Sequence, residues 1–321
     1  MLIQILLLLV GLTLILVGAN YLVEGSSNIA KKFGVSEFVI GLTIVGIGTS
    51  TPEMVVSFLS AIQGKSTMAI GNIIGSNIFN TALILGITAI ISPLVISRDT
   101  VRRDMPLNII ATVLLIVLGL NQTLFGIGSD SLNRIDGLIF VMIFVYYIWI
   151  SFKRDNHNQE EETEAEPTAI RPIWLSIIMI LGGLAGLVFG GRFFVDSATE
   201  IAHIAGVSDK FIAITVMAGG TSLPELATSA VAAIKGRGQL ALGNILGSNI
   251  SNILLILGGS ALIRPLPFGD ISPIDLGTVL LCAVMLPLTA FFIGKNKITR
   301  IEGLFLVLIQ VFYMSWLIIN L

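Results

Sequence analysis

Residues 48–53 read GTSTPE and residues 220–225 read GTSLPE, an offset of 172. At the same offset GNIIGSNIFN (71–80) recurs as GNILGSNISN (243–252), with eight of ten positions identical. The segments ahead of the first motif align as well, VSEFVIGLTIV from 35 with VSDKFIAITVM from 207. Even Val23-Glu24 has a counterpart in Val195-Asp196. Two copies with no insertion between their paired motifs make the chain an internal duplication.

Composition says what is duplicated. Of 321 residues, 55% are hydrophobic and only 12% charged, and mean hydropathy is +0.95. Soluble domains carry roughly 25% charged residues, which excludes an ordinary water-soluble enzyme. Apolar runs bounded by Gly, Pro and charge fall near 2–23, 37–62, 68–92, 105–122, 134–152, 172–196, 209–234, 240–263, 274–294 and 301–320. They are too long and continuous for barrel strands, which alternate over about ten residues. The prediction is an all-α membrane protein with ten transmembrane helices. Val17-Gly18-Ala19 resembles a signal-peptide cleavage site, but the first run lacks a positive n-region and a matching stretch recurs mid-chain, so it is read as a helix.

Five spans per copy is odd, so the second copy enters the membrane from the opposite side. Two inverted-topology five-helix repeats are the arrangement of secondary transporters, with the site at the repeat interface near mid-membrane. The first repeat covers 1–152 with its motifs in 37–92, and the second covers 172–321 with its motifs in 209–264. Between them lies 153–171, whose Glu160, Glu161, Glu162, Glu164 and Glu166 read as a solvated cytoplasmic linker. It lacks the ligand spacing and turn glycine of a calcium sensor. With both termini outside, inner loops hold thirteen of the 18 Lys and Arg residues, as the positive-inside rule requires. The protein is therefore placed in the cell membrane as a multi-pass protein, N-out and C-out.

The net charge of -2 points to no nucleic-acid partner; the lipid bilayer is the expected surrounding, and no obligatory protein partner is indicated. The lone cysteine, Cys282, sits in an apolar run and reads as a packing residue.

Glu53 and Glu225 each lie about 16 residues into their spans, whereas the other acidic residues lie at span ends or in loops. A carboxylate at the bilayer centre costs about 2.5–3.5 kcal/mol and faces a partner or a watery cavity. Two of them at equivalent positions of inverted copies would meet across the pseudo-two-fold axis, and they repel unless a proton or cation lies between them. No Lys or Arg lies in the motif helices away from their ends, so a bound cation is the economical neutraliser. Pro52 and Pro224 free the carbonyls of Gly48 and Gly220, four residues back, beside the loosening glycines Gly46 and Gly219. Each motif thus offers a carboxylate, carbonyls, and the hydroxyls of Thr49 and Ser50 or Thr221 and Ser222.

The second motif adds Ser76, Asn77 and Asn80, matched by Ser248, Asn249 and Asn252. Ser76 and Asn80 share a helix face, as do Ser248 and Asn252. An all-oxygen cage of this kind suits Ca2+ and Na+ better than Mg2+. The absence of His and Cys from the motifs argues against zinc or copper. Gly71/Gly75 and Gly243/Gly247 have the GxxxG spacing of close helix packing, while His203 and His157 read as incidental.

At these residues the sequence resembles the calcium/cation antiporter superfamily, specifically the sodium/calcium exchanger family of prokaryotic type. The GTSxPE and GNxxGSN pairs look like that family's two alpha repeats, and the similarity runs through all ten spans. The resemblance implies electrogenic antiport of Na+ against Ca2+ by alternating access, with no enzyme activity and no cofactor, the ions being cargo. On matching positions it makes Glu53 and Glu225 shared ligands of Ca2+ and the central Na+. Thr49, Ser50, Thr221 and Ser222 would contribute carbonyls and hydroxyls, and Ser76 and Ser248 would line flanking Na+ positions. Asn80 and Asn252 would complete the centre, with the carbonyls of Gly46 and Ala218 at places where the family commonly has alanine. It also implies that the first and sixth helices slide across the other eight.

Thr51 departs from a common Leu, Gly219 from a bulkier residue, and Asn252 from the Asp of some archaeal and potassium-dependent members. The last departure leaves two carboxylates at the centre. Their charge of about -2 is matched by one Ca2+ or by Na+ ions in overlapping positions. Both together would repel strongly at low dielectric, so competition between the ions follows from electrostatics. Exchange of H+ for Ca2+, or K+-dependent Na+/Ca2+ exchange, remains open, since a Glu pair also binds protons. A channel fits an inverted repeat with one site poorly, and no zinc or paired-Asp protease motif supports an intramembrane enzyme.

Overall fold

The structure, a computed structural model, describes residues 1–126, 128–155, 171–206, 218–269, 271–289 and 296–319. These form helices α1 (Leu2–Phe33), α2 (Glu37–Thr49), α3 (Thr51–Ile62), α4 (Ser66–Ile91), α5 (Met105–Gly119), α6 (Asn121–Phe125) and α7 (Arg134–Asp155). The order resumes with α8 (Ile173–Ile204), α9 (Ala218–Gly220), α10 (Leu223–Ile234), α11 (Gly238–Ile263), α12 (Pro273–Leu288) and α13 (Arg300–Ile319). Among the described residues, six helices are long and apolar enough to cross a membrane, and seven when α2 and α3 count as one bent span. The first and sixth expected spans, 2–23 and 172–196, are exceeded: both helices run 32 residues. Most of the expected linker, 156–170 with His157, and the start of the seventh span, 207–217, lie outside the described residues.

Local structure repeats with the sequence. α1 ends where Gly34 turns left-handed (φ 60°) and donates its N–H to the Ala30 carbonyl, and Gly206 after α8 has φ 78°. Gly64 (φ 75°) and Gly236 (φ 71°) end α3 and α10 alike. A side chain is strained in that region, so the duplicated glycines fix duplicated turns. Two-residue strands also recur. β1 (Leu94–Val95), after α4, pairs antiparallel with β4 (Lys297–Ile298), before α13. β2 (Ser131–Leu132), before α7, pairs with β3 (Leu266–Pro267), after α11. Each copy lends the strand after its third long helix to the other copy's final hairpin.

α4 and α11 form the centre: 72% and 94% of their apolar windows are buried inside the protein, against 22% for α1 and α13. The peripheral helices expose Leu2, Ile3, Leu6, Phe305 and Phe312, a surface suited to lipid. Close packing depends on small residues. α1 and α8 touch backbone to backbone; a Cβ on Gly18 or Gly183 would lie 2.7 Å from the other's carbonyl oxygen. α2 crosses α11 more tightly still, where a Cβ on Gly243 or Gly247 would come within 2.2 Å of the Phe38 or Leu42 oxygen. The GxxxG reading therefore holds for Gly243/Gly247. The partners that the repeat offset gives Gly71 and Gly75 fall in 207–217, outside the described residues.

Candidate ion-binding site

Each copy of the first motif is built at a helix break. Ser50 (φ -79°, ψ 9°) and Ser222 (φ -90°, ψ 7°) interrupt the helical run, and Pro52 and Pro224 occupy the first turn of α3 and α10, where a missing N–H removes no bond. α2 and α3 meet at 49°. The break places Glu53 and Glu225 in the first turn of the new helix, where the helix dipole favours a negative charge. In the second motif the helix widens into π turns at Phe79–Ile84 and Asn252–Leu257, so Asn80 and Asn252 lie in widened helix, a feature frequent at functional sites.

These elements bring the two motifs together across the repeat interface. Ser50 Oγ donates to Glu225 Oε1 at 2.9 Å, and Ser222 Oγ lies 3.2 Å from Glu53 Oε1. Each carboxylate is thus held by the serine of the opposite half. Ser76 Oγ donates to Glu53 Oε1 at 3.0 Å and lies 3.0 Å from Ser222 Oγ. Ser248 Oγ reaches the Gly46 carbonyl at 3.2 Å and Glu225 Oε1 at 3.5 Å, and Thr49 Oγ1 donates to Asn244 Oδ1 at 3.1 Å.

Glu53 and Glu225 are both fully buried. Their second oxygens, with the amide oxygens of Asn80 and Asn252, have no hydrogen-bond partner among the described residues. Buried acceptors are ordinarily paired, so these four oxygens are free to accept a ligand; the Asn80 amide nitrogen is unpartnered as well. None of the ion pairs formed among the described residues reaches either glutamate. No group of three or more His, Cys, Asp and Glu is found among them either, leaving a site of two carboxylates and neutral oxygens.

Of the predicted residues, Glu53, Ser76 and Ser222 form one hydrogen-bonded set and Glu225, Ser50, Ser248, Thr49 and the Gly46 carbonyl a second, each drawing on both halves. Asn80 and Asn252 are buried one turn beyond Ser76 and Ser248 on the same helices. Thr221 is half-buried at the break, and Ala218 opens α9. The Gly48 carbonyl freed by Pro52 already accepts one hydrogen bond, from Thr51 Oγ1 at 2.7 Å, which leaves one of its two lone pairs. At the counterpart of Thr51 stands Leu223, which has no hydroxyl to offer Gly220.

Sequence reasoning also passed over Asn72 and Asn244. Asn72 Nδ2 spans the Glu53 carbonyl (3.4 Å) and Ser57 Oγ (3.1 Å). Asn244 Nδ2 spans the Glu225 carbonyl (3.4 Å) and Ser229 Oγ (2.9 Å). Their recurrence within both GNxxGSN copies was the available signal.

Comparison with known proteins agrees with this geometry. The profile of the family described as sodium/calcium exchanger protein matches residues 3–153 and 175–319. The putative antiporter CaxA of Alkalimonas amylolytica is 38% identical over 98% of both chains. The sodium/calcium exchanger MaX1 of Methanosarcina acetivorans is 34% identical over 98% of this chain and 97% of its own. Among solved structures, the sodium-calcium exchanger NCX_Mj superposes with a TM-score of 0.83 at 31% identity, covering 98% of both chains.

Proposed function

The chain belongs to the sodium/calcium exchanger family, and from that premise we propose that it carries Ca2+ in exchange for Na+ by alternating access. The observation that carries the reading is the reciprocal pairing of Ser50 with Glu225 and Ser222 with Glu53, which sets two unneutralised carboxylates at the joint between the halves. Glu53 and Glu225 bind the ion through their unpartnered oxygens. Asn80, Asn252, Ser76, Ser248, Thr49, Thr221, Ser50, Ser222 and the carbonyls of Gly46 and Ala218 supply neutral ligands. Neutral oxygens flanking the carboxylates favour Na+ over H+ as the counter-ion, since a proton needs no coordination shell.

The chain crosses the cell membrane ten times as two inverted five-helix repeats, 1–152 and 172–321, joined by a cytoplasmic linker, with both termini outside. The strand pairs support this count. Six spans separate β1 from β4 and four separate β2 from β3, so each pair meets on one side, and the two pairs lie on opposite sides. The test is radiocalcium uptake into proteoliposomes with Na+ and pH gradients imposed separately, for wild type, Glu53→Gln and Glu225→Gln. Na+-driven uptake is expected in wild type only, with both variants remaining folded because Gln keeps the shape and loses the charge. Uptake that answers to the pH gradient alone would overturn Na+ coupling, and unchanged uptake in either variant would overturn the site.

A further inference from the structure

The second motif contributes a pair of asparagines, Asn77 and Asn249, that the cation site does not use as ligands. Both are buried. Asn77 Nδ2 donates to the backbone carbonyl of Asn249 at 3.1 Å. A carbonyl only accepts, so this bond fixes which end of the Asn77 amide is nitrogen. The oxygen end must then face the other way, and there it accepts from Asn252 Nδ2 at 2.9 Å. That second bond orients Asn252 in turn: with its NH2 held by Asn77, its oxygen is directed away from Asn77 and has no partner among the described residues. One main-chain carbonyl thereby dictates, through two amides, the end of Asn252 that is left free.

The direction matters because an amide presents opposite dipoles at its two ends. An oxygen coordinates a cation, and an NH2 repels it. We propose that Asn77 is a positioning residue that turns Asn252 so that its oxygen faces the transported cation. The proposal rests on the reading of this site as a cation carrier.

The duplicate positions show what happens without such a hold. The counterpart bond would run from Asn80 Nδ2 to Asn249 Oδ1, and both atoms are buried without partners. Asn249 instead spends its Nδ2 on Thr81 Oγ1 at 2.8 Å. The residue 172 positions after Thr81 is Ile253, so Asn77 meets no such competitor. Orientation is imposed in one half only.

Replacing Asn252 by Asp supplies an oxygen at either end and makes orientation irrelevant, which gives a test that a packing role would not pass. Equilibrium radiocalcium binding to purified protein is measured for wild type, Glu53→Gln, Asn77→Ala, Asn252→Asp and Asn77→Ala/Asn252→Asp, with Tm in chelator as the check on folding. Asn77→Ala is expected to bind Ca2+ about 10–100-fold more weakly, the loss typical of removing a ligand's supporting hydrogen bond. The double variant is expected to bind within about threefold of Asn252→Asp alone. If Asn77→Ala does not fold, Asn77→Ser, with room for a water, takes its place. Wild-type binding retained in the Asn77 variant overturns the proposal, as does a double variant that keeps the full defect. Wild type that fails to bind, or Glu53→Gln that binds like wild type, sinks the carrier reading together with this one.

Discussion

Gly247→Ala tests whether the site depends on the contact between α2 and α11. The added Cβ would lie 2.2 Å from the Leu42 oxygen and 2.6 Å from its Cα. Both are main-chain atoms, so no side chain can swing aside. Ordinary contact begins near 3.4 Å, so the helices must separate by roughly 1 Å. The same two helices carry the Ser248–Gly46 bond at 3.2 Å and the Thr49–Asn244 bond at 3.1 Å. An added ångström takes both beyond hydrogen-bonding range.

Overpacking costs about 1–3 kcal/mol, and each buried hydrogen bond is worth about 1 kcal/mol. The variant should lose roughly 3–5 kcal/mol of stability and most of its Ca2+ binding together. Tm in detergent and radiocalcium binding on the same preparation read both. The control is Gly182→Ala, where the added methyl meets nothing within 4 Å. It should be neutral or stabilising by up to about 1 kcal/mol. Wild-type Tm and binding in Gly247→Ala would refute the claim that backbone approach at this crossing sets the geometry of the site.

Ser50→Ala and Ser222→Ala each remove the bond that holds the opposite glutamate; either should weaken Ca2+ binding about 10–100-fold with little change in Tm, measured by titration. Asp104 is fully buried, paired with Arg103 at 2.7 Å and receiving the Tyr147 hydroxyl at 2.8 Å. Arg103→Met leaves that carboxylate uncompensated and should cost roughly 3 kcal/mol, most of it recovered in Arg103→Met/Asp104→Leu, as Tm would show. In the loop between α6 and β2, the hydroxyl and then the amide of Thr123 hold Asp130 below the usual carboxylate range. A lowered carboxylate stabilises above its unfolded value of about 4 and loses that contribution as pH falls through the folded value. Thr123→Val removes the hydroxyl and keeps the amide, so it should raise Asp130 only part of the way back to the ordinary range in a carboxyl NMR titration.

The duplication, the helical class and the two glutamates were legible because each leaves a mark that survives in a single chain: a fixed offset, apolar length, and a charge where charge is expensive. The serine cross-pairing was less so. Ser50 and Ser222 were named as oxygen donors, but that each serves the other half's carboxylate depends on two helix breaks facing one another. The π turns after Ile78 and Ser251 leave no periodic signature in a run that is apolar on every side. The bond from the Thr51 hydroxyl to the Gly48 carbonyl was not foreseen, because a freed carbonyl can be met by any hydroxyl within reach as well as by an ion. Asn72 and Asn244 were hidden for the opposite reason: they touch main chain, serines and, for Asn244, the Thr49 hydroxyl, and nothing in their chemistry announces a ligand.

Identical residues in the two halves make different bonds. Ser76 takes Glu53 and Ser222, whereas its duplicate Ser248 takes the Gly46 carbonyl, with Glu225 at 3.5 Å. Asn77 is bonded to Asn252, whereas Asn249 turns to Thr81. One set of side chains therefore supports two bonding patterns, and the exchange is like for like, hydroxyl on carboxylate or carbonyl and amide on amide. Patterns matched in this way differ by no more than about one net hydrogen bond, near 1 kcal/mol. A carrier needs such a gap, because a molecule that must present one site to two sides cannot favour either state by much more than its ions supply. Where the halves depart from each other, the extra hydroxyl lies in the first half at Thr81 against Ile253 and Thr51 against Leu223, and in the second at Ser251 against Phe79 and Thr228 against Val56.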